Sequence, residues 1–293
     1  MNQSRTQSVI ALTLLPLLVI GICLATSGCG GGAGSESTVT LKPAEREPSE
    51  GATGPEGPGG PEAPTGEPGS LVGRFTFNGT SPTLAPLVAQ GAAVKDAQYC
   101  SAEAVPNQSL VVGSDGGIQD VFIYLSDAPD GYEPAGELEP VVLDQKGCTF
   151  LPHGQVLQTG QTLIVKNDDG CAHNTNIQTV RNTIFNSVVE PNDREGKTHV
   201  YEKVERTPVP VKCDFHAWMS ARMLIIDHPF AACSKADGRF EIKNLPPGKY
   251  SFLVWHESAG GPGLLERRLQ VTIEPGKEAK IEKSYGIGDF PKL

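Results

Sequence analysis

Ile118-Gln119-Asp120-Val121-Phe122-Ile123-Tyr124-Leu125-Ser126, entered through Asp115-Gly116-Gly117, decides the fold. Five consecutive β-branched, aromatic or aliphatic residues after a glycine turn make a strand, because the run is too short for a useful helix. A period of two over 121–125 recurs over 250–255, which alternates Tyr250, Phe252 and Val254 with their neighbours. Working outward, similar runs predict strands over 71–78, 109–113, 118–126, 139–144, 161–167, 173–180, 182–189, 198–204, 207–213, 221–227, 238–243, 249–256, 267–273 and 280–283. Gly, Pro, Asn and Asp bound most of them. Only 84–99 reads as helix-like, and Pro86 and Gly91 weaken it. Short strands with frequent turns predict an all-β chain built as a sandwich or barrel.

The 293 residues carry 34 acidic and 24 basic side chains, a formal charge of −10. Lysine and arginine are scattered, so the clustered footprint that binds phosphate is missing and no nucleic-acid partner is expected. Arg5 precedes an apolar run over 9–25 that ends in Ala25-Thr26-Ser27-Gly28-Cys29. A positive start, an apolar middle and a small-residue exit make a secretory signal. The exit resembles a bacterial lipoprotein cleavage box, with Thr26 where that box most often has Leu. The resemblance implies lipidation at Cys29 and anchorage to a membrane, on the periplasmic or cell-surface side. Residues 30–70 contain 11 Gly and 7 Pro and bury too little apolar surface to fold. They read as a tether.

The segment that carries chemistry is Cys213-Asp214-Phe215-His216-Ala217-Trp218-Met219. It sets a thiol, an imidazole and a thioether three residues apart in one connection after a strand. Upstream, Cys171-Ala172-His173-Asn174 supplies a second imidazole where a strand begins. Two His, one Cys and one Met are the donor set of a trigonal copper site with a weak axial thioether. Such a set tolerates both oxidation states, so little rearranges when an electron moves. A bare C-x-x-H alone is also compatible with half of a structural zinc site.

The C-x-x-H-x-x-M loop after Pro208-Val209-Pro210-Val211-Lys212, together with His173-Asn174, resembles the blue-copper cupredoxins, plastocyanin and amicyanin among them. The resemblance spans about residues 105–228. It implies one type 1 copper ion held by His173, Cys213, His216 and Met219, with Asn174 tying the two ligand loops together. It also implies a Greek-key β-sandwich and electron transfer rather than enzymatic catalysis. Trp218 and Ala217 would then rim an exposed edge of His216 where a redox partner, such as a cytochrome or dehydrogenase, docks. Cys171 departs from the family, which usually has no thiol there.

Export places the remaining cysteines in an oxidising space. Cys100, Cys148, Cys171 and Cys233 allow three pairings. Cys100–Cys148 with Cys171–Cys233 is expected, because it staples both flanks to the sandwich; buried free thiols are the alternative. His153, His228 and His256 read as hydrogen-bonded turn or strand-end residues, and His199 as a strand-face residue. Asp237-Gly238-Arg239-Phe240 and Leu245-Pro246-Pro247-Gly248-Lys249-Tyr250 resemble the hairpin of transthyretin-like (prealbumin-like) and carboxypeptidase-regulatory-like sandwiches. The expected plan is therefore signal 1–28, tether 29–70, cupredoxin-like domain 71–228 and a smaller β-sandwich segment 229–293. Alternatively, 71–78 belongs with the last segment and the copper part is an insertion. The expected function is a membrane-tethered electron carrier; the alternative is a non-redox surface module that docks carbohydrate or protein and keeps a vestigial site.

Overall fold

Period-two alternation places side chains on opposite faces, and the chain builds with it almost throughout. In this computed structural model residues 66–134 and 136–293 are described, all within one compact unit. The signal, Cys29 and the tether as far as residue 65 lie outside the described residues. In chain order the first strands are β1 (Gly69–Asn78), β2 (Phe122–Tyr124), β3 (Val141–Lys146), β4 (Thr149–Leu151), β5 (Gly154–Gln158) and β6 (Thr162–Val165). Next come β7 (His173–Ile177), β8 (Phe185–Val189), β9 (Lys197–Val200), β10 (Val209–Lys212) and β11 (Ser220–Ile226). The last are β12 (Ala231–Cys233), β13 (Arg239–Leu245), β14 (Gly248–Trp255), β15 (Leu264–Ile273) and β16 (Glu278–Gly286). The chain is all-β.

The strands form two sandwiches. One, the frame, sets the sheet β13-β1-β16 against the sheet β12-β2-β14-β15. Leu71, Phe75, Ile123, Phe240, Phe252, Val254 and Val271 fill the space between them. The other sets β5-β11-β10-β7-β8 against β4-β3-β6-β9. Its filling includes Leu143, Phe150, Leu163, Val165, Ile177, Val211 and Met223.

This topology cuts across the expected boundary between 71–228 and 229–293. β1 pairs with β13 and β16, and β2 pairs with β12 and β14. The physical reason lies in β1, whose inward Leu71, Phe75 and Phe77 match the apolar faces of the last strands rather than those of β3 to β11. Strands β3 to β11 therefore stand as an insertion between β2 and β12.

Three further expectations are corrected. Of 84–99 only Ala97–Cys100 is helical; instead Val88 and Val105 pair, and residues 88–105 close on themselves as a loop. Regular pairing of 118–126 is confined to Phe122–Tyr124, because Asp120 takes a left-handed φ of 61°. Leu245-Pro246-Pro247-Gly248 turns no hairpin, since β13 and β14 lie in different sheets and the segment carries the chain between them.

Two strands are buried on both faces, and they join the sandwiches. Ile123 faces the frame core while Phe122 and Tyr124 face outward from it. In β11, Ala221, Met223 and Ile225 face the insertion core, and Leu224 and Ile226 turn the other way. Phe122, Tyr124, Leu224, Ile226 and Trp255 meet as a third apolar cluster. Beside it, Glu257 of the frame pairs with His153 and, at 3.0 Å, with Arg222 of the insertion. Burial acts to lower the His153 pKa, but the bond and charge of Glu257 and the charge of Asp120 outweigh it and raise it above 6.5. Burial likewise acts to raise Glu257, and His153 and Arg222 bring it below its ordinary value.

Two outcomes are expected. Gly238 has φ 76°, and a Cβ there would lie 2.1 Å from the Phe75 carbonyl oxygen. Gly238→Ala should therefore cost on the order of 2–4 kcal/mol in urea unfolding, left-handed strain plus a displaced β1. The His153 contribution to stability is fully present below pH 6.5 and is lost as pH rises through its raised folded value. Buried His256, whose pKa is pushed down to about 4, acts in the opposite sense by favouring the unfolded chain below pH 6.5. The stability difference between wild type and His153→Gln should thus shrink as pH rises above 6.5 and also as it falls through the lowered Glu257 value. Denaturant midpoints across pH 4–9 check both limbs.

Candidate metal centre

β7 opens on His173, and β10 ends just before Cys213, so two adjacent strands deliver the two ends of the site. Between Cys213 and Met219 the chain turns back on itself. The Cys213 amide donates to the Met219 carbonyl at 3.3 Å, and the Met219 amide donates to the His216 carbonyl at 2.9 Å. Cys213, His216 and Met219 are buried, as is His173. Asn174 joins the two loops: its side chain accepts from the Asp214 amide and donates to the Asp214 carboxylate at 2.8 Å. A second donor, Asn176, reaches the same carboxylate at 3.2 Å.

The imidazoles of His173 and His216 meet through their Nδ1 atoms, 2.9 Å apart. Cys213 Sγ lies 3.7 Å from His216 Nδ1. Burial acts to raise the Cys213 thiol, but hydrogen bonds to His173 and His216 win and bring it down to about 6. A thiolate is therefore within easy reach at neutral pH, which is what a soft metal needs. His173 is raised in spite of its burial by its bonds to Asp169 and Cys213. Donors that share one ion at about 2.0 Å for nitrogen and about 2.3 Å for sulfur stand roughly 3.3–3.7 Å apart. The two separations through His216 Nδ1 need only a few tenths of an ångström of relaxation, so these donor pairs suit a metal of that size.

Both outer nitrogens are held by carboxylates. His173 Nε2 meets Asp169 Oδ2 at 2.9 Å, and His216 Nε2 meets Asp96 Oδ2 at 3.0 Å. Such partners fix the tautomer that turns Nδ1 inward and raise its basicity. Asp169 also accepts from the amides of Gly147 and Cys148, at 2.6 and 2.8 Å. These bonds overcome its burial and hold its pKa low. Neither aspartate was a candidate from sequence. The only available signal was Asp169 inside Asn167-Asp168-Asp169-Gly170, a run of residue types that favour a turn.

His216 has no exposed edge, which corrects the expected rim. Its ring is wholly buried, and the 88–105 loop lies over it. From the same loop, Lys95 stands over the Phe215 ring at 4.4 Å, and Tyr99 crowds Gly170. Ala217 is exposed and Trp218 half-buried, so the apolar part of the rim is present without the imidazole.

Cys100 and Cys148 form a disulfide with Cα atoms 5.2 Å apart. The expected Cys171–Cys233 bond is absent, and both thiols are free. They belong to different clusters: Cys171 packs in the insertion core, and Cys233 borders the junction beside Gly154 and Asp120. Cys171 Sγ lies 3.7 Å from His173 Nε2. Burial, then the charges of Asp169 and Asp96, push its thiol up to about 11. Among the described residues, Cys171, His173 and His216 form one group able to converge on an ion. Of the other histidines, His153 is held by Glu257, His228 Nδ1 accepts from the Phe230 amide, and His199 packs edge-on to Tyr201.

No family model and no curated protein matches the chain. Similar solved structures include the "Novel Purple Cupredoxin" of Nitrosopumilus maritimus, at 21% identity and a TM-score of 0.24. That likeness covers 29% of this chain and 95% of the other. Amicyanin of Paracoccus versutus is similar at 13% identity and a TM-score of 0.25, over 40% of this chain and 97% of the other. At these TM-scores the likenesses carry no weight for fold or function.

Asn174→Ala removes the bonds that join the ligand loops. It should cost about 1 kcal/mol in the metal-free protein, because the Asp214 amide loses its acceptor while the exposed Asp214 carboxylate keeps Asn176 and Asn186 as donors. Urea unfolding of wild type and variant checks this.

Proposed function

We propose that the chain is a mononuclear type 1 copper protein and an electron carrier rather than an enzyme. The observation that carries this reading is that His216 Nδ1 meets both His173 Nδ1, at 2.9 Å, and Cys213 Sγ, at 3.7 Å, with all three residues buried. Met219, buried in the same loop, would supply a thioether donor to the ion. When bound, copper supplies one-electron redox chemistry that no side chain here can. The chain's own residues do the rest. Cys213 gives up its proton, and His173 and His216 keep Nδ1 free because Asp169 and Asp96 occupy the opposite nitrogens. Asn174 and Asp214 hold the loops at fixed separation, and burial excludes water. A site that is already in place rearranges little, which is the requirement for fast electron exchange.

The same proposal places the protein outside the cytoplasm, on a lipid at Cys29, with the part of the 30–70 stretch that precedes β1 as tether. Its partner is a redox protein that meets Phe215, Ala217 and Trp218, the uncovered residues of the ligand loop. The net charge of −10 steers partners with a positive face.

Metal analysis and a visible spectrum test the reading. One copper per chain with an intense thiolate-to-copper band is expected, whereas zinc in stoichiometric amount with no copper uptake overturns it. Cys213→Ser should lose the band. Met219→Leu should retain copper and shift the reduction potential upward, as expected when a thioether donor is removed.

A further inference from the structure

Three sulfurs, not two, meet beneath the 88–105 loop. The Sγ atoms of Cys100, Cys148 and Cys171 all lie within 4.8 Å of one another. Cys148 and Cys171 come from two turns that Asp169 holds together, since it binds the amides of Gly147 and Cys148 and stands two residues before Cys171. Cys100 is different. It closes a four-residue helix in a loop that touches the insertion through the disulfide, Asp96, Lys95 and Tyr99.

We propose that these three cysteines form a thiol–disulfide exchange site, in which transfer of the bond from Cys100–Cys148 to Cys148–Cys171 unfastens the loop from His216. In the step, the Cys171 sulfur attacks the Cys148 sulfur and a Cys148–Cys171 bond forms. The Cys100–Cys148 bond breaks, and Cys100 leaves with the electron pair of the broken bond. The proton released by Cys171 ends on Cys100. One disulfide and one thiol are present before and after, so no outside oxidant or reductant is consumed. An incoming dithiol of a partner would also free Cys100, by reducing Cys100–Cys148 to two thiols while itself becoming a disulfide, but without forming a Cys148–Cys171 bond.

The direction of attack follows from what each sulfur is attached to. Cys148 and Cys171 sit on a common support and need no backbone separation to join. Cys100 is the member whose release frees something. Once it leaves, the loop is held at its neck by the Val88–Val105 pairing, while Asp96 loses the covalent clamp four residues away that keeps it on His216 Nε2. The outer edge of a proposed copper ligand then opens to solvent or to a partner. That last consequence rests on the copper reading; the exchange itself does not.

The full metal-free chain is acid-quenched, alkylated and mapped without reduction. Two populations are expected: Cys100–Cys148 with Cys171 alkylated, and Cys148–Cys171 with Cys100 alkylated. Cys171→Ser should show the first bond alone, and Cys100→Ser, refolded with oxidised glutathione, the second alone. Cys100–Cys148 as the sole bond in every wild-type preparation overturns the proposal, and so does a Cys100–Cys171 bond. Diethylpyrocarbonate then reads the latch, with modification of His216 at least tenfold faster in Cys100→Ser than in Cys171→Ser. Equal rates refute the unfastening even where the exchange is found. If Cys100→Ser fails to fold, the wild-type populations, separated chromatographically, serve for the same comparison. Because no copper enters the mapping, failure of the copper reading would leave these results standing.

Discussion

One buried carboxylate organises the site. Asp169 accepts from two successive amides in the β3–β4 turn and from His173 Nε2, and each of those groups then fixes something else. The turn fixes Cys148 and with it the disulfide; the imidazole fixes where Nδ1 points. A carboxylate taken out of water is costly unless its lone pairs are filled, and here several donors fill them. The arrangement is self-consistent in a narrow sense: losing any one donor leaves a lone pair of the buried carboxylate unfilled. In the proposed copper site, a ligand that must hold the same position in two oxidation states would gain from such a support.

The frame stands in a different relation to the site. Its contribution is made through β2 and β11, strands buried on both faces, so that the apolar cluster around Phe122, Leu224 and Trp255 couples the sandwiches without a polar gap. An insertion between two strands of a sandwich leaves the parent sheets intact only if its ends return close together. β12 pairs with β2 directly, with Ala231 opposite Tyr124, so the entry and exit of the insertion are neighbours. The loop over His216 also arises from the stretch between β1 and β2 and not from the insertion that carries the proposed ligands. Access to the site is thus controlled by one part of the chain and its chemistry by another.

The alternation of apolar residues, read locally, was enough for the β class and for most strands from β6 onward. It was least useful where a strand has only three residues, as in β4 and β12, because a period cannot be counted over so short a run. Cys213, His216 and Met219 stood out because they share one segment, and His173 because Asn174 follows it. Asp96 bonds to a residue 120 positions away, and a single aspartate carries no spacing signal that marks it as a partner of a distant imidazole. The same blindness to distance hid the sheet partners of β1 and favoured Cys171–Cys233, a pairing argued from chain position when the fold sends the two thiols into separate clusters.

The central place of β1 has a mechanical side. It runs between β13 and β16, and its parallel register with β16 extends from Ser70 opposite Glu278 to Asn78 opposite Gly286. In a parallel pair the start of one strand and the end of the other lie at opposite ends of the ladder. Tension drawn between the chain before Gly69 and the chain after Gly286 would therefore slide the two strands past each other and load all their rungs together. A hairpin pulled from its open end surrenders its bonds one at a time; this pair would have to give up its bonds at once.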